Sequence, residues 1–246
     1  MRDAFSAPVQ PEPNLETSLH QSLKRLYAES DAATEVKVGD FRIDAVRGNQ
    51  LIEIQFASLS SIRDKIRTLV KTSKVRVVKP IVASRTIVRQ ATVDGPVISR
   101  RKSPKRGVTV DLFDELVYWT KVFPHPNLTL EVPLVSVEEW RLPPEACDRR
   151  RRRYKPKHAV KDVYLVSVLE SKTFRRCSDL MKLIGAKDLP APFDTSDLAR
   201  HLDRPRWTAQ RIAYVLRKMG AIDEAGKRGN ALTYHVRQRA KKRAAA

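Results

Sequence analysis

Asp44 and Glu53 are the side chains of this sequence best placed to do chemistry. Between them lies Gly48-Asn49, a pair that favours a two-residue hairpin turn because both positions tolerate positive φ. With that turn Arg47 faces Gln50, and counting back sets Asp44 opposite Glu53. Like charges that meet across a ladder destabilise it, and a divalent cation would resolve the repulsion. Side-chain period two places Asp44, Glu53 and Gln55 on one face, with Ile43, Ala45, Ile52 and Ile54 turned to a core. The plainer alternative pairs Asp44 with Arg42 or Lys37 on a surface. Against it, Glu53 sits in an otherwise apolar strand, where an unpaired charge is costly.

The run Ile43-Asp44, an eight-residue gap, then Glu53-Ile54-Gln55 resembles the PD-(D/E)xK nuclease signature, in which an Asp and a Glu two residues before a Lys bind magnesium. Ile43 stands at the usual proline and Gln55 at the Lys; some restriction-type members resemble this chain in carrying Glu-x-Gln. The resemblance covers roughly residues 12 to 140. It implies a restriction-endonuclease-like core that hydrolyses phosphodiesters, with Mg²⁺ (or Mn²⁺) held by Asp44, Glu53 and the backbone carbonyl of Ile54. Gln55 would position the attacking water. Glu16 is either a third acid from the first helix or a solvated residue, and His20, one turn on, either a base or a surface residue. Lys65 is the lysine that can replace the missing motif ammonium. The alternative makes it, with Arg63, Arg67 and Lys71, a solvated helix face.

Elements able to position these residues follow from periodicity. Leu15, Leu19, Leu23 and Leu26 predict a helix over 14–28 behind an Asn14 cap. A strand over 35–38 leads into the hairpin. Leu59, Ile62, Ile66, Leu69 and Val70 form the stripe of a helix over 58–72. Residues 75–83, dense in β-branched side chains, predict a buried strand, followed by 86–90. After a basic loop over 100–106 come a helix over 111–123 and a strand over 128–137, in which Pro133 favours an edge or a bulge. The fold class expected is α/β, a mixed central sheet flanked by helices.

The net charge of +20 is uneven: residues 1–147 carry +4 and residues 148–246 carry +16. Such a surplus attracts a polyanion and displaces its counterions, the electrostatic footprint of nucleic-acid binding. Its densest part, Arg149 to Arg153 with Lys155 and Lys157, reads as an exposed linker. The domains expected are a flexible N-terminus over 1–12, the nuclease-like domain over 13–142, a basic linker over 143–158, a DNA-binding domain over 159–238 and a disordered basic tail over 239–246.

The DNA-binding domain resembles a small winged helix-turn-helix. One or two helices are expected from Val160 to about Ile184, then a short helix capped by Asp194 or Thr195 and ending near His201. A recognition helix begins at Pro205. Its outward cations Arg206, Arg211, Arg217 and Lys218, with Lys227 and Arg228 at the tip of a two-stranded wing, are the expected contacts to double-stranded DNA. Trp207 and Tyr214 are read as packing residues.

Cys147 and Cys177 fit no zinc or disulfide pattern, which points to a reducing cytoplasm. No apolar run approaches the roughly 20 residues of a membrane span. The function expected is a metal-dependent DNA endonuclease, a homodimer being left open. The alternatives are a non-catalytic DNA-binding regulator or repair accessory factor on a degenerate nuclease fold, and an RNA-binding factor.

Overall fold

The structure, a computed structural model, describes residues 17–28, 30, 33–143 and 158–237. The first helix, Ser18–Tyr27 (α1), is capped by the side chain of Thr17, which accepts from the His20 amide. Asn14, the expected cap, lies outside the described residues. A meander follows, Thr34–Val38 (β1), Phe41–Arg47 (β2) and Gln50–Ile54 (β3). A 3-10 turn over Leu59–Ile62 opens into Arg63–Leu69 (α2), held at its start by the Ser58 hydroxyl. Lys74–Val78 (β4), Ile81–Gln90 (β5) and Val97–Lys102 (β6) precede Leu112–Leu116 (α3), and then come Leu128–Leu142 (β7) and Ala159–Phe174 (β8).

These strands form one sheet in the order β1-β2-β3-β4-β7-β5-β6, with β8 on the other edge of β7. The β3/β4, β4/β7 and β5/β7 pairs are parallel and the others antiparallel, so the sheet is mixed. Apolar residues cover both faces, as parallel strands require. Leu19 and Leu23 of α1 pack with Ala45, Ile52, Ile54, Val78, Val135 and Val163. On the other face Ile66 of α2 and Leu112, Phe113 and Leu116 of α3 pack with Val75, Val77 and Leu130. The expected α/β class, a mixed central sheet flanked by helices, is therefore present.

Several expected elements differ. The strand over 75–83 breaks at Lys79-Pro80, where β4 ends and β5 begins. The basic stretch from Arg100 is not all loop, since Arg100 to Lys102 complete β6 against β5. The helix expected over 111–123 is regular only in α3. Strand β7 is central rather than at an edge. Pro133 is accommodated because it falls between the last pair with β4, at Glu131, and the first with β5, at Leu134. The helices expected from Val160 give way to β8 as far as Phe174, and only Cys177–Leu183 (α4) is helical. The first sheet thus takes in residues expected in the C-terminal domain.

Beyond β8 and α4 lie Phe193–Asp194 (β9), Thr195–Leu202 (α5), Arg206–Lys218 (α6), Ile222–Arg228 (β10) and Ala231–Val236 (β11). The Asp194 carboxylate caps α5 by accepting from the Ser196 and Asp197 amides at 2.6 and 2.9 Å. Strand β11 lies between β10 and β9, and Gly229, at φ +60, makes the β10–β11 turn. Helix α6 packs on α3, so Phe113 and Leu116 share one apolar cluster with Ile212 and Leu216.

Candidate functional site

The hairpin has the counted register: Arg47 faces Gln50 and Ala45 faces Ile52 across Gly48-Asn49, with Gly48 at φ +54. The ladder ends at Ala45, so Asp44 is not paired with Glu53 in it. Beyond that point β2 leaves β3, and Ile43 packs with α2 and α3 rather than with Ala45. The strict alternation expected for this strand stops there. The slot left on β3 is filled by a side chain: the Ile54 amide donates to Asp44 Oδ2 at 2.7 Å. Asp44 therefore sits at the fork between two strands.

Helix α1 approaches the fork with two residues one turn apart. His20 Nε2 is 3.4 Å and Lys24 Nζ 3.6 Å from Asp44 Oδ1. Lys24 also bonds Glu35 of β1, which in turn bonds Arg42. Glu53 is buried, 6% exposed, and faces α2. There the Lys65 ammonium donates to both of its carboxylate oxygens at 2.7 Å and to the Arg42 carbonyl at 2.5 Å. The amide nitrogen of Gln55 donates to the Ser58 carbonyl and the Ser61 hydroxyl at 2.9 and 2.7 Å. Lys79 holds the same loop by donating to the carbonyls of Phe56 and Ala57 at 2.9 and 2.5 Å.

The two acids are driven apart electrostatically. Burial pushes the Glu53 carboxyl up and the neighbouring Asp44 charge adds to this, against the pull of Lys65. Burial would also raise Asp44, but His20, the Ile54 amide and Lys24 together hold it below the ordinary carboxylate value. Burial likewise pushes the Lys79 ammonium down, opposed by Glu115 at 3.3 Å. Asp44 is the standing anion of the pair and Glu53 the one that binds a proton more readily.

Of the expected site residues, Asp44, Glu53, Ile54 and Lys65 come together, and Gln55 is anchored on the adjoining loop. Glu16 lies outside the described residues. Lys24, which reaches Asp44, and Glu35, which pairs with Lys24, carry no local sequence signal, because separate elements bring them together. Among the described residues no three His, Cys, Asp or Glu side chains cluster in a way that could hold a metal ion. The donors at hand are instead two carboxylates with main-chain oxygens, and three oxygens already converge on one cationic centre, the Lys65 nitrogen. Carboxylates are hard oxygen donors of the kind a divalent cation takes, and both oxygens of Glu53 are here held by the Lys65 ammonium.

The expected DNA contacts divide in two. Arg211 pairs with Asp114 of α3 at 2.8 Å, Arg217 with Glu224, and Arg228 with Asp194 and Asp197 at 3.3 and 2.9 Å. Arg206, Lys218 and Lys227 are exposed and form no ion pair among the described residues. Trp207 and Tyr214 are 53% and 41% exposed, contrary to the packing role expected of them. Trp207 lies beneath the Arg211 guanidinium, 4.8 Å from its ring centroid. No helix of the described residues is long and apolar enough to cross a membrane.

Residues 17–175 match the family described as "Domain of unknown function (DUF8091)". A protein of Treponema pallidum (strain Nichols), printed as "Uncharacterized protein", is 29% identical over 224 residues, covering 89% of this chain and 84% of its own. No solved structure matches. The family match begins at the cap of α1 and ends one residue after β8, so it takes in the whole sheet and the acid pair, and stops short of α4. The chain belongs to the family described as Domain of unknown function (DUF8091).

Proposed function

We propose that this protein is a metal-dependent DNA endonuclease with a restriction-endonuclease-like core and a C-terminal winged helix-turn-helix. The observation that carries the reading is the Lys65 ammonium on Glu53, beside an Asp44 held by the Ile54 amide. The cation that the motif lacks at Gln55 is supplied from α2, as the sequence allowed. The order α4, β9, α5, α6, β10, β11, with a two-stranded wing against a third short strand, supports the winged-helix part.

Asp44, Glu53 and the Ile54 carbonyl would hold Mg²⁺ or Mn²⁺. The chemistry such an ion supplies is acidification of water and neutralisation of charge developing on the phosphate. Lys65 donates to Glu53 and fixes its rotamer, its three N–H bonds being taken by the two Glu53 oxygens and the Arg42 carbonyl. The nitrogen of Gln55 is engaged by Ser58 and Ser61, which leaves its carbonyl oxygen to orient a water by accepting from it. Lys79 and Glu115 hold the loop that bears it. Duplex DNA would be held by the exposed Arg206, Lys218 and Lys227, whose phosphate contacts set register before any base is read.

One observation favours the non-catalytic alternative, a DNA-binding protein on a degenerate nuclease fold. Each acid is already matched by an internal cation, Asp44 by Lys24 and Glu53 by Lys65. Nicking of supercoiled plasmid with Mg²⁺ or Mn²⁺ decides between them. Wild type is expected to nick and Glu53→Gln and Asp44→Asn are not. Equal activity in all three identifies a contaminant, and DNA binding without nicking in wild type establishes the alternative.

A further inference from the structure

The far end of the sheet carries a second charged constellation, on one face of three adjacent strands. Arg89 of β5 lies directly opposite Arg141 of β7, and Ile87 lies between Arg101 of β6 and Glu139 of β7. Opposed arginines repel across a ladder, as the two acids of the hairpin would. Here the counter-charge is a single buried carboxylate. Glu139 pairs with Arg85 at 2.8 Å and with Arg141 at 2.5 Å, which fixes the Arg141 guanidinium. Arg89 and Arg101 are exposed and pair with no carboxylate among the described residues.

These arginines line a cavity of about 480 Å³ with Ile87, Ser99, Leu142 and His158. Its size is that of a small-molecule site. The local field is positive: burial pushes the His158 imidazole below its ordinary value, and Arg141 and Arg89 push it further against the opposing pull of Glu139.

We propose that the Arg89, Arg101, Arg141 and His158 cavity binds a terminal phosphate, the dianionic phosphomonoester of a nucleotide or of a nucleic-acid strand end. Guanidinium forks match phosphate oxygens bidentately. A dianion removes the Arg89–Arg141 repulsion, while the apolar Ile87 and Leu142 leave room for what the phosphate is attached to. The site does not rest on the nuclease reading, since it uses no residue of the acid pair.

The test is calorimetric titration of the full chain with inorganic phosphate, a nucleoside monophosphate, and one single strand with and without a 5′-phosphate, beside NMR titration of His158. Saturable binding of the phosphate-bearing probes is expected. It should weaken at least tenfold in the Arg89→Ala/Arg101→Ala variant, whose exposed positions leave folding intact by thermal melt. The His158 pKa should rise on binding. A phosphorylated strand that binds more tightly than the nucleotide supports the strand end, and equal binding supports the free phosphomonoester. Glu53→Gln should leave these affinities unchanged whether or not wild type cuts DNA. Absence of saturable phosphate binding overturns the proposal. So does an equal loss in the control Arg204→Ala, or a His158 that does not respond.

Discussion

The Lys65 ammonium stands 2.7 Å from each carboxylate oxygen of Glu53. Glu53 is buried and Lys65 only one-fifth exposed, so water cannot replace either partner at little cost. Lys65→Met is expected to lower stability by about 3 kcal/mol by leaving a buried carboxylate unpaired, and to abolish nicking. The Lys65→Met/Glu53→Gln double variant should recover part of that stability, with a coupling of about 1 to 2 kcal/mol in urea melts. Strictly additive losses would show that the pair does not interact.

Asp44 and Glu53 are expected to respond to acid in opposite senses. Asp44 is held below its ordinary 3.8, so its contribution to stability is present above that value and is lost as pH falls through the lower folded one. Glu53 lies above its ordinary 4.5. Its contribution is full below that value and is lost as pH rises through the raised folded one. The stability deficit of Asp44→Asn against wild type should therefore shrink from about pH 7 to about pH 3. Over the same range upward, Glu53→Gln should gain on wild type. Parallel stability profiles for the three proteins would refute both assignments.

For DNA binding, the ion-paired and unpaired cations should separate. Replacing Arg206 and Lys227 with Ala is expected to weaken duplex binding and to reduce the slope of log K against log salt by about 2, roughly one per lost phosphate contact. Arg228→Ala removes contacts to Asp194 and Asp197 and should cost less than about 1 kcal/mol of stability, with little change in slope. Anisotropy of a labelled duplex at several salt concentrations measures both.

Lys79 is expected to matter through the loop it holds. Lys79→Met leaves the Phe56 and Ala57 carbonyls without this donor and Glu115 without its cation, at a cost of about 2 to 3 kcal/mol. Because the loop carries Gln55, nicking should fall further than stability explains. A melting shift with unchanged nicking would confine Lys79 to a structural role.

The hairpin was legible because Gly48-Asn49 has one economical turn and period two then fixes the register. Helix α2 was legible from its stripe. Strand β8 was not, for a physical reason. It skips pairing at Lys161, Val166 and Leu169, and each bulge shifts the alternation by one residue, so its apolar positions recur at spacings that imitate a helix. Strand β6 was hidden by the charges an edge strand carries. The pairing of Lys24 with Asp44 and Glu35, and the approach of Arg89 to Arg141, depend on strand order, which no local spacing encodes.

Among the described residues strand β7 alone joins β1-β2-β3-β4 to β5-β6 in the first sheet. Each of those blocks pairs mainly with its own sequence neighbours, whereas β7 reaches back about fifty residues to both. A chain emerging from the ribosome can form the early hairpins yet cannot unite them until β7 has been made. Closing those long loops is the slow step that topology imposes. Leu130→Ala should therefore retard refolding itself, whereas Leu198→Ala in α5 should mainly quicken unfolding.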